Sequence, residues 1–159
     1  MSRVGLGQDS HRFSTDPARA LVLGGVTLPN QPGLDGHSDA DVVLHALCRA
    51  LEQAIGGDDF SRYADAMCEQ GITDSRAYVS VALAHVEAAG YRVNNVGVTI
   101  EAKRPKIEPV RTEIQRAIAK LLGIGSADVG VNASSGEGMT AFGRGEGIQA
   151  LVIVSLERR

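Results

Sequence analysis

Apolar residues recur at two spacings along this chain, and each change of spacing marks the border of an element. Arg3 to Gly7 and Leu21 to Leu28 alternate or run apolar, which predicts two short strands with Gly24-Gly25 at a bend or bulge. After Ser38 the spacing becomes helical. Leu44, Leu47, Leu51 and Ile55 share one face, and Gly56-Gly57 supplies the stop. A second helix is predicted from Ser75, capped by Asp74, with Val79, Ala82, Leu83 and Val86 on one face and Gly90 closing it. Val93 to Glu101 reads as a strand. Pro109 suits the first position of a third helix that carries Val110, Ile114, Ile118 and Leu121 and ends at Gly123. Val129 to Ala133 and Ile148 to Leu156 are the last predicted strands. Between Asp58 and Gln70 the apolar residues fit neither period well, which predicts a mobile loop with a turn or two of helix.

This order predicts an α/β fold, an α+β sandwich in which helices pack on one face of a mixed β-sheet. At 159 residues and 43% hydrophobic content, one domain over 1–159 is expected, and no repeat or low-complexity linker divides it. A net charge of −3, with no block of like charge, argues against nucleic acid as a partner. Cys48 and Cys68 form no C-x-x-C pair, which fits a reducing compartment. No apolar run reaches the roughly 18 residues of a membrane span, and the N-terminus has no signal-peptide h-region. The expected location is the cytoplasm, or a plastid if a transit peptide was removed.

Chemistry concentrates in four segments. In Asp9-Ser10-His11 the one-residue gap puts Asp9 and His11 on the same side of an extended chain. With His45 they make a set of two imidazoles and a carboxylate, which suits Zn²⁺ and leaves a fourth position open. A hydrogen-bonded Asp-His pair without metal explains the same dipeptide spacing. Gly36-His37-Ser38-Asp39-Ala40-Asp41 precedes the first helix, where Ser38 or Asp39 can cap and Asp41 favours the positive end. Helix-start chemistry accounts for those three and leaves His37, which is placed to donate to a phosphate. Asn132 to Gly138 and Phe142 to Gly147 are glycine-rich, with Ser134, Ser135, Glu137, Arg144 and Glu146 offering groups for phosphate and a divalent ion. A flexible hairpin has the same composition. Ala102-Lys103-Arg104-Pro105-Lys106-Ile107 puts three cations before a helix, or forms a solvated turn.

Three motifs, G-x-D-x-H at Gly7 to His11, G-H-S-D-A-D-V-x-L-H at Gly36 to His45 and G-R-G-E-G-I at Gly143 to Ile148, resemble the cyclodiphosphate synthase family. Asp74-Ser75-Arg76, Asn95-Val96 with Val98-Thr99-Ile100, Pro105-Lys106 and the Val131-to-Glu137 segment extend the resemblance over nearly the whole chain. It implies conversion of 4-diphosphocytidyl-2-C-methyl-D-erythritol 2-phosphate to the 2,4-cyclodiphosphate with release of CMP, in the non-mevalonate isoprenoid pathway. It further implies one Zn²⁺ per subunit on Asp9, His11 and His45, and a second ion, Mg²⁺ or Mn²⁺, on Glu137. His37 and Ser135 match the pair assigned to transition-state stabilisation. The resemblance gives Ser10, Ser38, Asp65 and Ser134 substrate contacts, Asp58 the erythritol end, Ala102 to Ile107 the cytidine end, and Arg144 and Glu146 a central cavity. A homotrimer with active sites between subunits is implied too.

The departures cluster between Gly56 and Met67, where Asp58 and Asp59 compete for one role. Elsewhere Gly138 stands where a Lys is usual, and Arg49 where a helix carboxylate is common. Two other functions remain open: a diverged paralogue acting on another cytidine diphosphate ester, and a catalytically silent trimer that binds nucleotides or isoprenoid diphosphates.

Overall fold

A computed structural model describes residues 2–159. Four strands form the main sheet: β1 (Arg3–Arg12), β4 (Tyr91–Glu101), β5 (Val129–Ser134) and β6 (Gly147–Arg158), once the hairpin strands β2 (Leu21–Leu23) and β3 (Val26–Leu28) are numbered in chain order. The sheet order is β1-β6-β4-β5, with β4 and β5 parallel and the other pairs antiparallel, so the sheet is mixed as expected. Helices α1 (Val42–Ile55), α3 (Ser75–Ala88) and α4 (Arg111–Leu122) cover one face.

Strand alternation sets which side chains meet those helices. Ile148, Ala150, Val152, Val154 and Leu156 of β6 are buried, as are Val96, Val98 and Ile100 of β4. They pack against Leu44, Leu47 and Leu51 of α1 and Ile114 and Ile118 of α4 in one core. On β1 the inward positions are Gly5 and Gly7, so α1 approaches the strand backbone directly. Among the described residues no helix covers the opposite sheet face, which exposes Val4, Leu6 and Ile153.

Four expectations change. Asp58 to Gln70 is no mobile loop: it contains a helix, α2 (Ser61–Glu69), whose N-cap Phe60 packs inward with Tyr63, Ala64 and Met67 of the helix. Leu21 to Leu28 is a separate hairpin, and Gly24 and Gly25, at φ 62° and 79°, supply the two left-handed residues its tight turn needs. The cap of α1 is Asp41, not Ser38 or Asp39, because the helix starts at Val42 and Asp41 accepts from the amides of Val43 and Leu44. The buried Asp41 carboxylate also accepts from Gly24 and Gly25, which ties the hairpin to the helix. Pro109 lies in a short 3-10 turn over Glu108–Val110, and α4 starts just after it. Among the described residues no helix is long and apolar enough to cross a membrane.

Candidate active site

Strand periodicity places Asp9 and His11 on one side of β1, and the glycine contact brings α1 against that strand, so His45 joins them. His11 Nε2 lies 3.0 Å and His45 Nδ1 3.1 Å from the same oxygen, Asp9 Oδ2. The three potential ligand atoms lie within 4.8 Å of one another.

The surrounding hydrogen bonds decide what these atoms can hold. Asp39 can only accept, so Ser75 Oγ donates to its Oδ1. Ser75 Oγ then accepts from His45 Nε2 at 2.9 Å, which leaves Nδ1 as a lone pair aimed at the Asp9 carboxylate. A backbone interaction with Asp35 also favours the protonated His11 ring. Acceptors therefore converge from three sides on one point, and such a point needs a proton or a metal ion. Two neutral imidazoles and one carboxylate are a donor set for a divalent transition metal with an open position. With protons rather than a metal ion at that point, burial opposes ionisation of Asp9, but hydrogen bonds and charge from protonated His11 and His45 together outweigh it and hold the carboxyl well below its ordinary range. His11 moves upward, chiefly because it hydrogen-bonds Asp9, with burial opposing.

The segment before α1 is pinned by Arg19, whose guanidinium donates to the carbonyls of Leu34 and Ser38. Ser38 Oγ lies 3.2 Å from His45 Nε2, while His37 is exposed beside it. Ser10 is exposed between the two β1 ligands. Of the competing carboxylates, Asp58 is three-quarters exposed and pairs with Arg62 at 2.5 Å, whereas Asp59 reaches Arg49 at 3.1 Å and through it the metal cluster. Asp65 is exposed on α2 and stands apart from the cluster.

A second group of the expected site residues lies elsewhere on the sheet. A cleft of about 520 Å³ is lined by Ala102, Lys103, Pro105, Lys106, Ile107, Ser134 and Ser135, the segments expected to take the nucleotide. Arg104 precedes a cis proline and stacks its guanidinium 5.0 Å from the Phe13 ring centroid. Ser135 Oγ caps the turn that carries Glu137 and lies 3.3 Å from its carboxylate. Arg144 is exposed and pairs with Glu146 at 2.9 Å.

The register separates the two groups. Ser10 pairs with Gln149, Gln149 with Glu101 and Glu101 with Ser134, a row across all four strands. Three strand spacings put Ser10 and Ser134 about 14 Å apart, on opposite sheet edges but at the same end. Glu137 therefore does not join Asp9, His11 and His45 within one subunit, and that trio is the metal-capable cluster among the described residues.

Sequence reasoning gave no site role to Ser75, Asp39 or Arg49. Arg49 carried a usable signal, four residues after His45 and on the same helix face. Ser75 carried only its place in the Asp74-Ser75-Arg76 match, since thirty positions separate it from His45.

The YgbB family model matches residues 2–157. A 2-C-methyl-D-erythritol 2,4-cyclodiphosphate synthase of Chlamydia trachomatis serovar L2b is 39% identical over 156 residues, 97% of this chain and 87% of that protein. The bifunctional IspDF from Campylobacter jejuni superposes with a TM-score of 0.91 at 30% identity, over 100% of this chain and 43% of that one. A CDP-bound 2C-methyl-D-erythritol-2,4-cyclodiphosphate synthase gives a TM-score of 0.84 at 28% identity, over 98% of this chain and 100% of that one.

Proposed function

The chain belongs to the YgbB family, and on that footing we propose that it converts 4-diphosphocytidyl-2-C-methyl-D-erythritol 2-phosphate to 2-C-methyl-D-erythritol 2,4-cyclodiphosphate and CMP, as a phosphorus-oxygen lyase of the non-mevalonate pathway. The observation that carries the reading is the convergence of ligand atoms of Asp9, His11 and His45 within 4.8 Å of one another.

An oxygen of the substrate's 2-phosphate forms the new bond to the β-phosphorus, and the bond from that phosphorus to the CMP oxygen breaks. The nucleophile is the substrate's own, so catalysis reduces to holding two anionic groups together and compensating their charge. Asp9, His11 and His45 would hold Zn²⁺, and Glu137 a Mg²⁺ or Mn²⁺ ion. A divalent ion so held supplies Lewis-acid charge to phosphate oxygens. Exposed His37 could donate to phosphate, and the exposed Ser135 hydroxyl could do so by turning from the Glu137 carboxylate to which it donates at 3.3 Å. Lys103 and Lys106 rim the cleft proposed for cytidine, whose floor is Ala102, Pro105 and Ile107. Ser10, Ser38 and Arg144 remain proposed contacts.

The edge-to-edge separation of the two groups supports an active site shared by neighbouring subunits. In a homotrimer, the β1 edge of one subunit would meet the β5 edge of the next, and exposed Val4, Leu6 and Ile153 would be covered. Cytoplasmic action belongs to the same proposal.

Purified zinc-loaded protein should release CMP from this substrate, and His45→Ala should lose both the zinc and the activity. A folded, zinc-loaded protein that releases no CMP would overturn the reading. The pairing of Asp58 and Asp59 with arginines favours one second reading: the same chemistry on another cytidine diphosphate ester. Greater CMP release from such an ester in the same assay would select it.

A further inference from the structure

Arg49 is the cation that touches a ligand of the metal cluster. Its Nη1 donates to Asp9 Oδ1 at 2.6 Å and to the Gln8 carbonyl at 3.2 Å. Its Nε donates to Asp59 Oδ1 at 3.1 Å, and its guanidinium lies 4.7 Å from the Phe60 ring centroid. Four fixed contacts from one side chain define its position closely, and both Arg49 and Asp9 are largely withdrawn from solvent, with 32% and 13% of their side chains exposed.

Two consequences follow. The two imidazoles face Asp9 Oδ2 while Arg49 occupies Oδ1, so the carboxylate offers one oxygen to an ion and is not free to chelate with both. The charge of Arg49 also cancels that of Asp9, so the full charge of a bound ion remains to act on an anion. The loop from Ser134 to Phe142 contains no Lys or Arg, so no cation from that loop can supply the same effect.

We propose that Arg49 is a positioning residue that sets the ligand geometry and charge of the metal centre, and thereby strengthens its hold on the β-phosphate. This inference rests on the substrate reading above. Asp59 is the opposing partner, because it shares the guanidinium with Asp9 and draws part of its charge away.

The β-phosphate contribution is measurable as the preference of zinc-loaded protein for CDP over CMP in calorimetric titrations, with zinc content determined on each sample. Arg49→Gln keeps a donor but loses the charge, and Arg49→Lys keeps the charge and loses the fork. The preference should fall about tenfold in Arg49→Gln and Arg49→Met, the scale of one partly buried charge at short range in a screened medium. Zinc should stay near one per subunit in both. Arg49→Lys should remain within about threefold of wild type, and Asp59→Asn should keep or raise the preference, since the released guanidinium then serves Asp9 alone.

An unchanged preference in Arg49→Gln at equal zinc content overturns the charge role. So does loss of zinc from Arg49→Gln, or an Asp59→Asn variant that loses the preference as Arg49→Met does, which would reduce Arg49 to an anchor for α2. Should Arg49→Met not fold, the Lys and Gln variants decide. A wild-type protein without any zinc-dependent preference for CDP overturns the substrate reading itself and this inference with it.

Discussion

Gly7→Ala tests whether the approach of α1 to β1 builds the metal site. A Cβ at Gly7 would stand 1.9 Å from the Ala46 carbonyl oxygen and 2.6 Å from the Ala50 nitrogen, both backbone atoms that cannot rotate away. Relieving that overlap requires strand and helix to part by more than about 1 Å. Ala46 follows His45 and Gly7 lies two residues from Asp9, so the separation falls directly on the 3.1 Å gap between His45 Nδ1 and Asp9 Oδ2. Metal ligation tolerates only about 0.2 Å, so zinc affinity should fall by about 100-fold or more. Where a strand has room, replacing Gly by Ala stabilises by roughly 0.4–1 kcal/mol through the unfolded chain. Here overpacking wins, at about 3 kcal/mol and a melting temperature lower by about 10 °C. Gly5→Ala is the matched control, since its Cβ would meet the Ala50 carbonyl oxygen at 2.0 Å, one helical turn farther from the ligands. It should lose similar stability but less zinc affinity. The assays are thermal denaturation and zinc competition against a chelator. A Gly7→Ala protein that melts within about 2 °C of wild type and binds zinc within about threefold would refute the reasoning, as would equal zinc loss in both variants.

Ser75→Ala should weaken zinc binding by about 10- to 100-fold while leaving the fold intact, because it removes the hydroxyl that fixes the His45 tautomer; the same competition assay reads it. Unchanged affinity would mean that Ser38 Oγ, at 3.2 Å, suffices. Glu137→Gln should retain zinc and CDP binding but lose turnover by about 100-fold, with its Mg²⁺ dependence flattened, in steady-state rates across a Mg²⁺ titration. Near-normal turnover would exclude Glu137 as the ligand of a second ion.

What was legible in the sequence follows from how local each cause is. Leu44, Leu47 and Leu51 announce a one-sided helix because its core lies on one side, and the D-x-H spacing announces two groups on one strand face because strand periodicity is two. The hidden helix α2 was illegible for the opposite reason. Its N-cap Phe60 and inward residues Tyr63, Ala64 and Met67 keep helical spacing, but the Gly-Gly-Asp-Asp run before them and a polar majority around them read as loop. Arg49 reads locally as a solvated face of α1, and its contact with Asp9 exists only because the helix lies on the strand backbone.

That closeness has its own trace in the sequence, at positions where local rules are broken. Glycine weakens a strand, and two glycines at the inward positions Gly5 and Gly7 surrender side chains that the core would otherwise bury. A strand that served the core alone would carry Val or Ile there, as β6 carries Val152 and Val154 opposite them. The exchange makes sense only if something on the helix has to reach something on the strand, and His45 and Asp9 are the side chains the contact delivers. Local inconsistency of this kind concentrates at functional sites. Paired glycines on one face of a strand, two residues before a D-x-H, therefore identify the side of β1 on which the helical ligand must arrive.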